Sequence, residues 1–235
     1  MVEQKGSFSF DCYNYNGHIL AEIGDDRYLI DTGALQSFGE PKELVLADKL
    51  FQLQKAYLGH GIAEIEHLIG TRISAVIGVD ILNCFETVID LAEGAMTFST
   101  EPLPFTGVQI PVRFFHGIPV VSCCVGEQEI ELFLDSGAKL SFLDTSISSQ
   151  YLRSGEDTDF FPGFGEFKTD VYKVPLEIAG LQLELSVGTL PGILQMTLTQ
   201  AKAAGIIGSA LYDEFAVCLS AARGALVVRR HSNES

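Results

Sequence analysis

Positively charged residues are scarce in this chain of 235 residues, which has 15 Lys and Arg against 31 Asp and Glu and a net charge of −16. No nucleic-acid partner is expected, because binding to phosphates depends on cationic side chains. The same charge disfavours an anionic membrane surface. Hydrophobic residues make up 47% of the chain, which is enough for a core and excludes intrinsic disorder.

Long apolar runs are also lacking, and none approaches the roughly 18 residues that a membrane-spanning helix needs. The amino terminus has neither the basic nor the apolar region of a secretory signal. The five cysteines include no Cys-x-x-Cys spacing and suit reduced thiols. These features predict a cytoplasmic protein without membrane contact. A secreted protein whose leader has been removed is the alternative.

The sequence offers little for a metal or a cofactor, and none is expected. The five histidines are scattered, without a His-Glu-x-x-His helix or paired cysteines. Gly163-x-Gly165 lacks the third glycine of a dinucleotide fingerprint. Glu64, Glu66 and His67 are predicted to lie on a strand, with the two glutamates on one solvated face.

The sequence contains an internal repeat. Several features recur in the same order in both halves, and the offset between copies grows because the second copy carries a long insertion after its aspartate. The equivalent pairs are Gly17 and Gly117, Gly24 and Gly126, Asp31 and Asp135, Gly78 and Gly208, and Gly94 and Gly224. Residues 99–104, with two prolines, read as an extended connector. The sequence therefore predicts two units, residues 1–100 and 101–235.

The local pattern is mostly that of β-strands. Apolar segments flank glycine turns at Gly24, Gly126 and Gly180, as hairpins do. Short helices are predicted over residues 41–50, 79–83 and 209–214. Many short strands with few helices indicate an all-β barrel or sandwich in each unit.

Two aspartates stand out as candidates for chemistry. Asp31 and Asp135 each follow an apolar triplet directly, so each carboxyl lies where a strand leaves the core. Poor solvation there, together with a nearby like charge, raises a carboxyl pKa.

The residues that follow each aspartate suit a braced, tight loop. Gly33 and Gly137 permit a close approach of the backbone. The hydroxyls of Thr32 and Ser136 can brace one loop against the other.

These motifs resemble those of the aspartic proteases, and the repeats are more similar to the retroviral-type unit than to the larger pepsin lobe. A serine follows each aspartate by six positions, and an apolar pair and a glycine precede a short helix in both copies. The segments that carry the resemblance are residues 29–34 and 133–138, Ser37 and Ser141, and residues 76–78 and 206–208. Ser136 stands where Thr is usual, with the hydroxyl retained.

The resemblance implies a bilobal acid-protease fold of two pseudo-symmetric, closed, β-barrel-like lobes with a few short helices and a cleft between them. In that arrangement Asp31 and Asp135 share one proton and activate a water as general base and general acid against a peptide carbonyl. It also implies a hairpin flap over the cleft from each repeat. The candidate flap residues are Tyr57, Gly59, His60 and Gly61 in the first repeat, and Phe161, Gly163, Phe164 and Gly165 in the second. Ordinary surface turns are the alternative for both.

The leading hypothesis is a monomeric aspartic endopeptidase that cleaves a peptide or an unfolded protein with apolar residues beside the scissile bond. Both halves lie on one chain, so no obligate homodimer is needed. The alternatives are a catalytically weak or inactive peptide-binding module with a protease fold, and a dimer with swapped lobes.

Overall fold

The computed structural model describes residues 6–161 and 165–232. The chain is mostly β, with 55% of its residues in strands and 13% in helices. None of the helices in the described part of the chain is both long enough and apolar enough to cross a membrane.

The first half of the described chain contains eleven strands and two helices. The strands are β1 (Ser7–Tyr15), β2 (His18–Ile23), β3 (Asp26–Ile30), β4 (Phe38–Gly39), β5 (Glu43–Leu46), β6 (Lys49–Gln52), β7 (Ala56–Tyr57), β8 (His60–Gly61), β9 (Ala75–Ile77), β10 (Glu86–Asp90) and β11 (Ala95–Ser99). The helices are α1 (Ile62–Ile69) and α2 (Val79–Leu82).

The second half contains ten strands and three helices. The strands are β12 (Val108–Phe115), β13 (Ile118–Val125), β14 (Gln128–Leu134), β15 (Ser141–Leu143), β16 (Leu152–Phe161), β17 (Gly165–Ile178), β18 (Leu181–Gly188), β19 (Gly205–Ile207), β20 (Phe215–Ser220) and β21 (Ala225–Arg230). The helices are α3 (Thr145–Ser148), α4 (Gly192–Ala201) and α5 (Ala210–Glu214).

The strand before each Asp motif has the same two kinds of neighbour. It pairs antiparallel with the strand that precedes it, through the hairpins β2–β3 and β13–β14 that the glycine turns predict. It also pairs parallel with the strand of the Ile-Gly motif, with Ile30 opposite Ile77 in the first half and Leu134 opposite Ile207 in the second. All four of these residues are fully buried, as strands covered on both faces require.

One continuous sheet joins the two halves. β10 pairs with β11 in its own half and with β20 of the other half, and β20 continues to β21 and β12. Within the described residues, 17 strands belong to this hydrogen-bonded network. The closed barrel-like lobes and the division at residue 100 stay predictions.

A helix packs against each parallel strand pair. In the first half, Ile65 of α1 packs in one hydrophobic cluster with Leu29 and Val76. In the second half, Leu198 of α4 shares a cluster with Phe133. These clusters fix the strands that end at the two aspartates.

The helix expected over residues 41–50 is wrong, because this segment forms the hairpin β5–β6. Leu44 and Leu46 are buried while Val45 is 61% exposed, which is the two-residue period of a strand. Ala47 and Asp48 form the turn with φ of 49° and 60°, as two-residue hairpins require. The short helices expected over 79–83 and 209–214 are present as α2 and α5.

The strand expected for Glu64–His67 is also wrong, because these residues lie in α1. Ile62, Ile65 and Ile69 are its buried residues, and their spacing of three and four places them on one helical face. The helix ends at Gly70, which has a left-handed φ of 79°.

Candidate active site

Asp31 and Asp135 occupy equivalent positions just beyond β3 and β14. The N–H of Asp31 donates to the carbonyl of Ile77 at 3.0 Å, and the N–H of Asp135 donates to that of Ile207 at 2.9 Å. Each aspartate is therefore fixed by the Ile-Gly segment of its own half, and each keeps part of its side chain exposed.

The two loops are held together by a reciprocal exchange of hydrogen bonds between Thr32 and Ser136. The N–H of Thr32 donates to the Ser136 hydroxyl at 3.0 Å, and the N–H of Ser136 donates to the Thr32 hydroxyl at 2.9 Å. Each hydroxyl then donates across to the other half, Thr32 to the Leu134 carbonyl and Ser136 to the Ile30 carbonyl, both at 2.7 Å. The two side chains are buried, so all four bonds lie away from water.

Each carboxylate also accepts hydrogen bonds from its own loop. Asp31 Oδ1 accepts from the N–H of Gly33 at 2.8 Å and from that of Ala34 at 2.9 Å. Asp135 Oδ1 accepts from the two equivalent amides at 3.0 and 3.2 Å. The second oxygen of each group is left for the other carboxyl or for a reactant.

The glycines of the two loops lie against the opposite carboxyl groups. A Cβ on Gly33 would be 2.3 Å from Asp135 Oδ2, and a Cβ on Gly137 would be 2.4 Å from the Asp31 Cγ. No side chain fits at either position. The predicted reason for these glycines, a close backbone approach, therefore holds across the two halves.

The electrostatics of the pair favour a retained proton. Burial raises the pKa of Asp31 above its usual value, although the amides of its loop oppose this. Burial, and then the negative charge of Asp31, raise the pKa of Asp135 well above its usual value. The pair therefore holds one proton at a pH where isolated aspartates are ionised.

The serines that follow each aspartate anchor the Ile-Gly segments. The Ser37 hydroxyl accepts from the N–H of Gly78 at 2.8 Å and donates to Asp80 at 2.6 Å. The Ser141 hydroxyl accepts from the N–H of Gly208 at 3.0 Å. Both serines are buried, which explains their place in the repeated motif.

A cleft of about 750 Å³, counting the part open to solvent, extends from the two aspartates. Apart from the Asp motifs, its lining from the first half is apolar: Leu29, Phe38, Tyr57, Leu58, Ile65 and Val76. Its lining from the second half adds one further carboxylate: Phe142, Asp159, Phe160, Phe161, Phe167, Leu190 and Ile206.

The first candidate flap is a two-residue hairpin between β7 and β8. Leu58 and Gly59 form its turn with φ of 51° and 87°. Tyr57 and Leu58 line the cleft, and the Tyr57 ring stacks on Phe38 with centroids 5.8 Å apart. Of the predicted residues of this hairpin, Tyr57 is therefore the one that lines the cleft.

The other predicted residues of this hairpin do not line the cleft. Gly59 forms the turn. His60 Nδ1 lies 2.6 Å from a carboxylate oxygen of Glu64 on α1. Gly61 precedes α1 as its N-cap.

The second candidate flap lies on the long hairpin β16–β17. Phe161 lines the cleft and pairs with Gly165, which begins β17. The predicted flap residues Gly163 and Phe164 lie outside the described residues.

Sequence reasoning missed His18 and Asp159 as neighbours of the Asp135 loop. His18 is 3% exposed, its Nδ1 lies 3.0 Å from the Gly137 carbonyl, and its ring contacts that of Phe160. Burial lowers its pKa, so the ring is neutral at pH 7 and its Nδ1–H donates to the carbonyl. Neither residue belongs to the repeated motif, so no pattern in the sequence points to it.

Within residues 6–161 and 165–232, no three His, Cys, Asp or Glu side chains group as a metal ion would require. Besides the aspartates and the loops that hold them, the described lining of the cleft has two polar side-chain groups, the carboxylate of Asp159 and the hydroxyl of Tyr57. The chemistry available to this arrangement is proton transfer between two carboxyls that share a proton.

Comparison with solved structures gives a distant likeness. No family model matches the chain, and no curated protein matches it in sequence. Among solved structures it is similar to the solution structure of the simian foamy virus (mac) protease. That match has 14% sequence identity and a TM-score of 0.29, and it covers 39% of this chain and 88% of the viral chain.

Proposed function

We propose that this chain is an aspartic endopeptidase, with residues 1–100 and 101–235 as the two lobes of an acid-protease fold and Asp31 and Asp135 as its catalytic pair. One observation carries the proposal. The Thr32–Ser136 exchange joins two equivalent loops so closely that each loop glycine lies against the opposite carboxyl.

The chemistry requires one carboxyl ionised and the other protonated. The ionised carboxylate removes a proton from a water molecule as the water attacks the peptide carbonyl, and the protonated carboxyl donates to the carbonyl oxygen. Breakdown of the tetrahedral intermediate returns a proton to the leaving amine. Burial raises the pKa of both groups, and the negative charge of Asp31 raises that of Asp135 further, which favours the singly protonated pair.

The cleft suits an extended peptide with apolar side chains beside the scissile bond. Tyr57 and Leu58 from the first hairpin and Phe161 from the second line it together with the aspartates. Aromatic and aliphatic linings of this kind bind apolar side chains by excluding water. Since one chain carries both aspartates, the proposed enzyme is a monomer that needs no cofactor.

The test is cleavage of an unfolded protein substrate over a pH series from 3 to 8. Wild type is compared with Asp31→Asn and Asp135→Asn, and folding of each is checked by circular dichroism. Asp48→Asn is the matched control, because Asp48 is exposed and its φ of 60° is one that asparagine tolerates.

The expected result is a bell-shaped profile for wild type and Asp48→Asn and no cleavage by the other two folded variants. A rate that rises through alkaline pH would contradict a shared-proton pair. If all four proteins are folded and inert, the chain is a peptide-binding module rather than a protease. The specific activity should not change on dilution, as it would for a swapped dimer.

A further inference from the structure

The two sides of the cleft differ in charge. The first half contributes apolar side chains around its Asp motif, whereas the second half contributes the carboxylate of Asp159. Among the described residues that line the cleft, Asp159 is the one charged side chain besides Asp31 and Asp135.

The carboxylate of Asp159 is buried without a cation beside it. Its side chain is 5% exposed and accepts from the N–H of Leu140 at 3.0 Å and from that of Phe160 at 2.8 Å. The nearby ammonium of Lys139 instead lies 2.8 Å from Asp157, and no ion pair among the described residues includes Asp159. Burial raises the pKa of Asp159 to about 6, so at neutral pH it is ionised and its charge is only partly compensated.

A polar groove adjoins the cleft and shares lining residues with it. Asp159 and Phe160 line both spaces, and the groove adds Glu166, which lies opposite Phe160 in the β16–β17 hairpin. Of the basic groups at the groove, Lys139 is paired with an aspartate and burial keeps His18 neutral. The groove is therefore negative at neutral pH.

We propose that Asp159, assisted by Glu166, makes this cleft selective for peptides with a lysine or arginine in the subsite between the cleft and the groove. This inference rests on the proposed function of the cleft. The aliphatic stem of such a side chain packs on Phe160, and its cationic end pairs with the negative carboxylate of Asp159. An apolar pair at the scissile bond and one basic residue near it describe the substrate class.

The experiment uses two sets of peptides that share an apolar pair at the centre. Each peptide varies one position within three residues of the scissile bond, outside the central pair. That position carries lysine in one set and norleucine in the other, because norleucine has a similar apolar stem without the ammonium. The kcat/KM values of the wild-type chain are compared at pH 7. Lysine is expected to raise kcat/KM about tenfold at one position.

Three variants assign the preference to the groove. Glu166→Gln should reduce it, and Asp159→Asn should reduce it more. Because an asparagine amide cannot accept both backbone N–H groups, Asp159→Asn is used only if circular dichroism shows it folded. Glu184→Gln makes the same change of charge at an exposed position outside both spaces and should leave the preference unchanged.

Equal kcat/KM for both sets at every position overturns the selectivity and leaves the protease intact. If no peptide is cleaved, the lysine and norleucine peptides are both made with a hydroxyethylene group in place of the central amide. Their binding to the wild-type chain is then measured. Binding about tenfold tighter for the lysine form supports the selectivity although the protease proposal has failed. Equal binding, or none, overturns the selectivity as well.

Discussion

At the scale of single residues, the hydroxyls of Thr32 and Ser136 are the groups on which the candidate site depends. Each one donates to a carbonyl and accepts from an amide of the other half, and both are buried. Thr32→Val keeps the shape of the side chain but leaves the Ser136 amide and the Leu134 carbonyl without partners. We expect a loss of about 2 to 4 kcal/mol of stability by urea denaturation, with loss of activity.

Thr32→Ser is the matched control for this prediction, because it retains the hydroxyl and removes only a methyl group. It should cost about 1 kcal/mol, the value of one buried methyl group. Equal stability of the valine and serine variants would mean that the reciprocal bonds do not hold the two loops together.

The shared proton of Asp31 and Asp135 also predicts how stability depends on pH. Burial raises the pKa of both above the ordinary value of 3.8, so the folded chain binds protons more tightly than the unfolded chain. This contribution to stability is complete below pH 3.8 and is lost as the pH rises through the raised pKa values. Asp135→Asn cannot ionise, so its Tm relative to wild type should increase from pH 4 to pH 8.

Thermal unfolding, monitored by circular dichroism, measures this difference. Asp48→Asn is the control, because it removes one negative charge in the same way. The Tm of Asp48→Asn should follow wild type over the same range. A Tm of Asp135→Asn that falls relative to wild type as the pH rises would show that the ionised pair stabilises the fold.

At the scale of elements, the hairpin β7–β8 provides a pair of glycines for comparison. Gly59 has a φ of 87°, and a Cβ there would contact nothing within 4 Å, so Gly59→Ala changes only the backbone energy. We expect a cost of about 1 kcal/mol in thermal or urea unfolding. Because Tyr57 and Leu58 line the cleft, kcat/KM for peptides should fall as well.

Gly61→Ala is the control, because Gly61 has an ordinary φ of −90° and equally open surroundings. Alanine is a weaker N-cap than glycine, so a cost of about 0.5 kcal/mol is expected from the start of α1, while kcat/KM for peptides should stay at the wild-type value. If the two alanine variants behave alike in stability and in kcat/KM, the conformation of this hairpin does not matter for the cleft.

Hairpins marked by a glycine turn could be predicted from the sequence, whereas two elements with only short apolar patterns could not. The glycine turns specify the hairpins β2–β3, β13–β14 and β17–β18, because a turn of this kind depends on few residues. Residues 41–50 were predicted to be helical, although Leu44 and Leu46 alternate with exposed residues as in a strand. In helix α1 the isoleucines have helical spacing, which outweighs the alternation of Glu64 and Glu66.

At the candidate site, the repeated motif could be found from the sequence, whereas contacts between distant strands could not. The repeat identifies Asp31, Asp135 and their loop residues, because one motif occurs twice. His18 and Asp159 contact the loop through strands that are distant in sequence, so only the folded chain brings them there.

At the scale of the whole molecule, the two halves are joined by more than the candidate active site. β10 of the first half pairs with β20 of the second along Glu86–Ile89. Beside this seam, Arg229 lies 2.9 Å from the buried carboxylate of Asp90, and Arg223 lies 2.8 Å from that of Glu86. Since the second half supplies a strand partner for β10 and the arginines that pair with two buried carboxylates of the first half, neither half is expected to unfold alone.

We therefore expect a single urea-unfolding transition, with the same midpoint by circular dichroism and by tyrosine fluorescence. Arg229→Gln should shift that whole transition by about 1 to 2 kcal/mol without changing its m-value, because it leaves the buried carboxylate of Asp90 with the N–H of Glu93 and with His231 as its remaining partners. Arg230→Gln is the control, because Arg230 is exposed and pairs with Glu214 of its own half, and it should change stability by less than about 0.5 kcal/mol. Two transitions, or an effect of Arg229→Gln on only part of the signal, would mean that the halves are independent domains and that the shared sheet does not couple them.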